Sequence, residues 1–328
     1  MEFKDQKPVM RPVDTFPVEH EGEKLILLRD PQSFSENSLT ITLAAYMIIV
    51  NMNGHNTVEE ILNEFNKTYK ASLKLKEMRQ LVDSLDNAYL LQNENFQKHM
   101  KKTVKEFADM PVRKSSLAGR SYPENPDELS KQLDGYLNGK SNGKGKSPFA
   151  IVAPHIDLNA GGETFGAAFS QIKDSKAETF VILGIGHTLA EDFFACVKKD
   201  FETPIGTSPV DAEFLKNLEK DFGEPIYENQ FAHRSEHSAE FQVLFLQKLF
   251  GGENPPRKIV PILLSFPENI DELDHPVFNK ERVDKFIAAL SKGIERLGDK
   301  VCVIAGIDMS HIGRRFGHKD GAPEKRRL

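Results

Sequence analysis

Cysteine is scarce in this sequence of 328 residues, with only Cys196 and Cys302, which excludes a disulfide framework and makes a reducing cytoplasm the expected location. An excess of positive charge is also lacking: the net charge is −6, so no general attraction to nucleic acid or anionic lipid is expected. The apolar run at residues 43–50 is far too short to cross a bilayer, and residues 1–5 lack the basic and apolar regions of a secretion signal. These absences favour a cytoplasmic protein that binds neither membrane nor nucleic acid.

The first third of the chain predicts a small, winged-helix-like α+β domain over residues 1–105. Residues 24–29 have the pattern of a strand, and residues 39–52 have that of an apolar helix. Thr57 and Glu60 have the spacing of a capping box, which indicates the start of the next helix.

A third helix is predicted from Leu75 to Leu85, followed by a short strand at residues 89–91. Winged-helix domains often read DNA with their third helix, and such a helix needs an unbalanced basic face. Here acidic side chains offset the basic ones, which disfavours DNA binding. The acidic residues are Glu77, Asp83 and Asp86, and the basic ones are Lys74, Lys76 and Arg79.

Residues 54–91 resemble the small PqqD-like domains. The resemblance rests on the predicted strand at residues 24–29, the helix start at residues 57–62 and the end of the third helix at residues 86–91. It implies a module that binds a peptide by adding it as a strand to its own edge and presents it to a partner enzyme, often a radical enzyme. The alternative is a helical domain that only packs against its neighbour.

The rest of the chain, residues 106–328, predicts an α/β domain with a mainly parallel sheet and flanking helices, because apolar strand patterns alternate with helical ones. Pro261 lies inside one predicted strand and suggests that this strand is at an edge or contains a bulge. The strand patterns are at residues 149–153, 179–183, 259–264 and 300–305, and the helical patterns are at residues 165–173, 211–222, 238–250 and 281–297.

Three of these strands are followed directly by side chains that can bind metals or transfer protons. His155 and Asp157 follow the first strand, His187 follows the second, and Asp308 and His311 follow the fourth. Because ligands bind beyond the carboxyl ends of parallel strands, these side chains are expected in one crevice. His237 stands at the start of a predicted helix and is expected nearby.

Two imidazoles and a carboxylate with open coordination positions suit non-haem Fe(II) and oxygen chemistry. Zinc would accept the same residues and activate a water molecule for hydrolysis. The alternative for each histidine alone is a hydrogen-bonded residue that caps a turn. The residues therefore predict either a mononuclear metal site or an acid–base site at this edge of the sheet.

From residue 114 onward, the ordered motifs resemble the MEMO family, whose fold is related to class III extradiol dioxygenases. The motifs lie at residues 117–123, 153–155, 183–187, 236–240 and 308–311. The resemblance implies that His155 and His187 are metal ligands, and that His237, Asp308 and His311 line the same pocket as catalytic residues. It also implies dioxygenase-like or redox activity with Fe(2+) as the cofactor, and copper or zinc as alternatives.

The sequence departs from the family pattern in two places. After the first histidine the family often has Ala-Gly-Tyr, whereas Ile156, Asp157 and Leu158 follow here, and this extra carboxylate makes Asp157 a candidate metal ligand. Family members also continue past the Asp-x-x-His motif and supply a cysteine ligand from a later segment. The C-terminal part of the domain is therefore expected to be missing from this chain.

The resemblance is to the bacterial branch of the family, the AmmeMemoRadiSam system protein B group, which implies a radical SAM enzyme as partner. A front domain that binds a peptide would suit that setting. The second hypothesis is a non-catalytic protein that keeps the fold and binds a peptide or partner, and the third is a zinc-dependent hydrolase.

Overall fold

The computed structural model describes residues 2–35, 38–140, 147–189, 192–265 and 279–308. The chain forms two compact units, Met1–Asp109 and Met110–Leu328. Each unit has its own sheet and its own apolar core. Within the described ranges, no helix is both long and apolar enough to span a membrane.

The first unit combines a small sheet with four helices in its described part. The strands are β1 (Asp14–His20), β2 (Glu23–Arg29) and β3 (Leu39–Thr42), and the helices are α1 (Leu43–Ile49), α2 (Val58–Tyr69), α3 (Leu75–Asn87) and α4 (Glu94–Asp109). The sheet is antiparallel in the order β1-β2-β3. Leu28 of the sheet shares one fully buried core with Val58, Met78 and Leu85 of the helices.

The start of α2 confirms the predicted capping box. The Thr57 hydroxyl accepts a hydrogen bond from the Glu60 amide at 3.1 Å, and the Glu60 carboxylate accepts one from the Thr57 amide at 2.7 Å. Each side chain thus satisfies a backbone donor that the first turn of the helix leaves without a partner.

Two local predictions in this unit are wrong. The first four residues of the helix predicted over residues 39–52 form β3 instead, because they pair with β2 and Thr42 caps α1. Threonine and isoleucine are β-branched and favour a strand at that point. The strand predicted at residues 89–91 is only an isolated bridge between Leu91 and Met10.

The second unit confirms the predicted α/β fold with a mainly parallel sheet. Its strands are β4 (Val112–Lys114), β5 (Ala150–Ala153), β6 (Thr179–Ile185), β7 (Phe194–Cys196), β8 (Asp200–Thr203), β9 (Gly206–Ser208), β10 (Lys258–Leu264) and β11 (Val301–Gly306). The main sheet has the order β5-β11-β6-β10-β7, in which the first four strands are parallel and β7 is antiparallel. A smaller sheet has the order β4-β8-β9.

Helices cover both faces of the main sheet. The helices of this unit are α5 (Pro126–Leu137), α6 (Leu158–Ser170), α7 (Ala212–Phe222), α8 (His237–Phe250) and α9 (Lys280–Leu297). Phe180 of β6 stacks on Phe250 of α8, with ring centroids 5.3 Å apart. The next residue, Val181, belongs to the core that contains Phe214 of α7 and Phe286 of α9. Successive residues of a strand point to opposite faces, so α8 lies on one face and α7 and α9 lie on the other.

The position of Pro261 corrects the prediction that its strand is an edge or contains a bulge. Strand β10 lies between β6 and β7, and its register with β6 is continuous through Pro261. The pairing with β7 begins only at Ile262. The missing N–H of Pro261 therefore falls where β10 has no partner on its β7 side, and the ladder loses no hydrogen bond there.

Candidate metal centre

Three histidines lie together at the carboxyl edge of the main sheet. His155 follows β5, His187 follows β6, and His237 is the first residue of α8. One possible ligand atom from each ring lies within 4.8 Å of the other two. The ring centroids of His187 and His237 are 4.7 Å apart, and that of His155 is 5.2 and 5.5 Å from them, respectively. The fold thus brings together imidazoles from three separate parts of the chain.

Helix α8 packs closely against this edge because two strands, β6 and β11, have a glycine near their carboxyl ends. A Cβ atom on Gly184 would lie 2.6 Å from Ser238 Oγ, and one on Gly306 would lie 2.7 Å from Gln242 Nε2. A larger residue at either position would force these side chains of α8 to move. The Ser238 hydroxyl accepts from the Ile185 amide at 3.0 Å and donates to the Ile185 carbonyl at 2.8 Å. These contacts fix the first turn of α8 against the end of β6.

His155 is the buried member of the cluster. The residue is 6% exposed, and its Nδ1 is buried without a hydrogen-bond partner. The Asp308 carboxylate, just after β11, lies beside this nitrogen, with Oδ1 3.6 Å from Nδ1. Burial lowers the pKa of His155, while the charge of Asp308 opposes that shift and His187 and His237 add to it. A neutral imidazole whose buried Nδ1 makes no hydrogen bond is suited to receive a cation.

Glu236 contacts the other two histidines. It is 4% exposed, and its carboxylate accepts hydrogen bonds from the His187 and Ser238 amides at 3.0 and 2.9 Å. The same carboxylate lies 3.1 Å from His187 Nδ1 and 3.2 Å from His237 Nδ1. Burial alone would raise the pKa of Glu236, but the hydrogen bonds from these rings and from Ser238 hold it well below its usual range. The hydrogen bond to Glu236 in turn raises the pKa of His187.

Arg113 of β4 anchors the segment that carries Glu236. Its side chain is 1% exposed and donates to the carbonyl oxygens of His233 and Glu236 at 2.9 and 2.8 Å. It also pairs with the buried carboxylate of Glu240. A single guanidinium therefore ties the small sheet to the residues immediately before α8.

Glu240 completes this buried network. Besides Arg113, its carboxylate accepts from the amides of Ser116 and Leu117 at 3.0 and 3.1 Å and from the Tyr122 hydroxyl. Burial would raise the pKa of Glu240, but the positive charge of Arg113 and the hydrogen bonds lower it. A carboxylate with this many donors remains ionised inside the protein.

The remaining candidate residues from the sequence lie in different places. The Asp157 carboxylate caps α6 by accepting from the Asn159 amide at 2.9 Å, and Asp157 is not part of the three-histidine cluster. Asp308 lies beside His155. His311 lies outside the described residues. The sequence does not predict the contacts of Glu236 and Arg113, and its local signal for them is limited to the position of Glu236 next to His237 at a helix start.

The donor set determines what this cluster can do chemically. Imidazole nitrogens are ligands for zinc, copper, iron and nickel. The side chains of His187 and His237 are 44% and 34% exposed, whereas that of His155 is 7% exposed. The cluster is therefore closed behind His155 and open to solvent on the other side, where a small molecule can approach.

Buried His233, next to this site in sequence, is expected to make the protein less stable in acid. Burial lowers its pKa to about 4, although its hydrogen bond with the Ala195 carbonyl opposes the shift. An unfolded histidine titrates near ~6.5, so below that pH the unfolded chain binds a proton that the folded chain does not. The free energy of unfolding should therefore fall between about pH 6.5 and about pH 4, by roughly 3 kcal/mol.

Denaturant unfolding over this pH range, in the wild type and in His233→Gln, measures the effect. Glutamine keeps a donor for the Ala195 carbonyl but does not titrate. The variant should lose part of the pH dependence. Identical pH profiles for the two proteins would show that His233 does not cause it.

Comparisons with known proteins agree with the motifs. The family model described as Memo-like protein matches residues 113–327. A MEMO1 family protein of Aquifex aeolicus is 30% identical over 313 residues, which cover 95% of this chain and 77% of that protein. A MEMO1 family protein of Thermus thermophilus is 26% identical over 80% of this chain and 73% of that protein. A MEMO1 family protein of Archaeoglobus fulgidus is 36% identical over 61% of this chain and 68% of that protein. The chain belongs to the Memo family.

Proposed function

We propose that this chain binds one metal ion through His155, His187 and His237 and uses it for redox chemistry of the dioxygenase type, with Fe(2+) as the metal. The observation that carries the proposal is the convergence of the three imidazoles, with ligand atoms within 4.8 Å of one another. The Nδ1 of buried His155, which has no hydrogen bond although Asp308 Oδ1 lies 3.6 Å away, adds support. A buried nitrogen without a hydrogen bond is unfavourable, and a bound cation nearby would offset that cost.

The residues around the cluster have defined roles in this proposal. Bound iron would supply an open coordination site and redox chemistry for a substrate. His237 replaces Asp157 as the third ligand, because the Asp157 carboxylate is used to cap α6. Asp308, whose side chain is 24% exposed beside His155, would accept or hold a proton of the substrate. His311 is proposed to assist it.

Elemental analysis of protein purified without oxygen tests the proposal. The wild type should contain stoichiometric iron, and the His155→Ala/His187→Ala double variant should contain none. A wild type that is folded, free of metal and unable to take up Fe(2+) would overturn the proposal and favour the non-catalytic binding protein.

A zinc-dependent hydrolase is the second candidate, because three imidazoles with an open side are also a zinc donor set. Zinc would activate a water molecule for attack on a substrate. The same elemental analysis separates the two candidates. Stoichiometric zinc that Fe(2+) does not displace under anaerobic conditions would favour hydrolysis.

We further propose that the first unit binds an extended peptide along β3 for a radical SAM partner. In the described residues, β1 and β3 are the two edges of the sheet. Pro17 of β1 pairs with Ile26 in a continuous ladder, so the position of its missing N–H is on the outer side. The β1 edge therefore lacks one hydrogen-bond donor, and β3 is the better edge for the addition of a peptide strand.

Amide chemical shifts report this binding directly. On titration with short peptides of alternating apolar and polar residues, the amides of Thr40 and Thr42 in β3 should shift more than those of β1. Shifts confined to β1, or no shifts with any peptide, would count against strand addition at β3.

A further inference from the structure

The Glu236 carboxylate contacts two of the three histidines, and the geometry of these contacts does more than balance their charge. One carboxylate faces Nδ1 of both His187 and His237, at 3.1 and 3.2 Å. The two rings are stacked, with an angle of 19° between their planes. The two imidazoles therefore present the same edge to the same carboxylate.

This geometry selects one tautomer of each ring. An ionised carboxylate only accepts hydrogen bonds, so each Nδ1 that faces it must carry the hydrogen. In a neutral ring, the lone pair is then on Nε2. Because the rings of His187 and His237 are nearly parallel and share one acceptor, their Nε2 lone pairs lie on the same side of the cluster.

The protein fixes this carboxylate independently of the rings. The amides of His187 and Ser238 donate to it at 3.0 and 2.9 Å. The main-chain carbonyl of Glu236 accepts a hydrogen bond from Arg113, and Arg113 is held in turn by its ion pair with Glu240. Burying a carboxylate is costly unless donors surround it, and here backbone donors supply part of that compensation. Glu236 is thus held in place by groups that are not imidazoles.

We propose that Glu236 is the positioning residue of this centre: its carboxylate fixes His187 and His237 as Nδ1–H tautomers and so directs both Nε2 atoms to one ion. The inference rests on the proposed metal-binding function. His155, whose Nδ1 is not hydrogen-bonded, is not under this control. The two exposed ligands are thereby ordered before a metal arrives, which lowers the entropic cost of binding it.

Long-range 1H–15N correlation spectra of metal-free protein labelled at histidine test this directly. At alkaline pH, where the rings are neutral, His187 and His237 of the wild type should both show the Nδ1–H pattern. In Glu236→Gln, the side-chain amide has one accepting oxygen and one donating nitrogen, so at least one ring should change to Nε2–H. The wild-type spectrum already decides the matter if the variant does not fold: an Nε2–H tautomer at either ring would overturn the inference.

Asp211→Asn is the matched control. It changes a buried carboxylate at the start of another helix, α7, whose partners are the Thr179 hydroxyl and the Phe214 amide rather than the Glu236 network. The tautomers should be unchanged in this variant. Affinity for Fe(2+) should fall about 10–100-fold in Glu236→Gln, as is common for partners of metal-bound histidine. Unchanged tautomers in Glu236→Gln would overturn the inference even if metal binding is retained. A wild type with the expected tautomers and no affinity for metal would contradict only the proposed function.

Discussion

Replacement of Arg113 by methionine is expected to lower the free energy of unfolding by about 3–5 kcal/mol, because removal of one partner leaves a buried charge without compensation. The Arg113 and Glu240 side chains are 1% and 0% exposed. Methionine fills much of the space but donates no hydrogen bond to Glu240 or to the carbonyls of His233 and Glu236. Denaturant unfolding followed by circular dichroism measures the loss.

The exposed Arg120 provides the control, since Arg120→Met should change stability by no more than about 0.5 kcal/mol. The double variant Arg113→Met/Glu240→Gln should cost less than the sum of its two single variants, because glutamine removes the uncompensated charge. A cost below about 1 kcal/mol for Arg113→Met would contradict the structural role given to this pair.

The sequence predicts the four parallel strands of the main sheet and the residues that follow them, because their signal is local, but it does not predict the short antiparallel strand β7. A buried strand appears as a short apolar run, and β5 and β6 are each followed closely by a histidine. The parallel arrangement then places the ends of these strands at one edge. The helix start at Thr57 is predictable for the same reason: its capping partner is three residues away.

The contacts that organise the centre are not local and leave no pattern in the sequence. Glu236 reaches His187 across 49 residues, and Arg113 reaches Glu240 across 127 residues. An arginine in a short strand gives no indication that it is buried. Pro261 shows the opposite case, in which a strong local signal for an edge is overridden because the neighbouring strand begins to pair one residue later.

Fe(2+) added without oxygen is expected to stabilise the wild type and not the His155→Ala variant. A ligand that binds only the folded state at about 100 times its dissociation constant adds about 2.7 kcal/mol to the free energy of unfolding. His155 supplies the buried nitrogen of the cluster, so its removal should weaken binding by more than the roughly 10–100-fold typical of outer partners. Thermal unfolding with and without the metal measures the difference.

Mg(2+) serves as the control in that experiment, because it prefers oxygen ligands and should not bind three imidazoles. Equal stabilisation of the wild type by Mg(2+) and Fe(2+) would point to binding at surface carboxylates. Equal stabilisation of the wild type and His155→Ala by Fe(2+) would place the metal elsewhere.

The central claim is that His155, His187 and His237 form one metal site, and an anaerobic Fe(2+) titration of the wild type, His237→Ala and Asp157→Asn tests it most directly. Asparagine at residue 157 can still accept from the Asn159 amide but carries no charge. We expect a single site in the wild type, loss of that site in His237→Ala and unchanged affinity in Asp157→Asn. Binding that survives in His237→Ala but is lost in Asp157→Asn would contradict the claim.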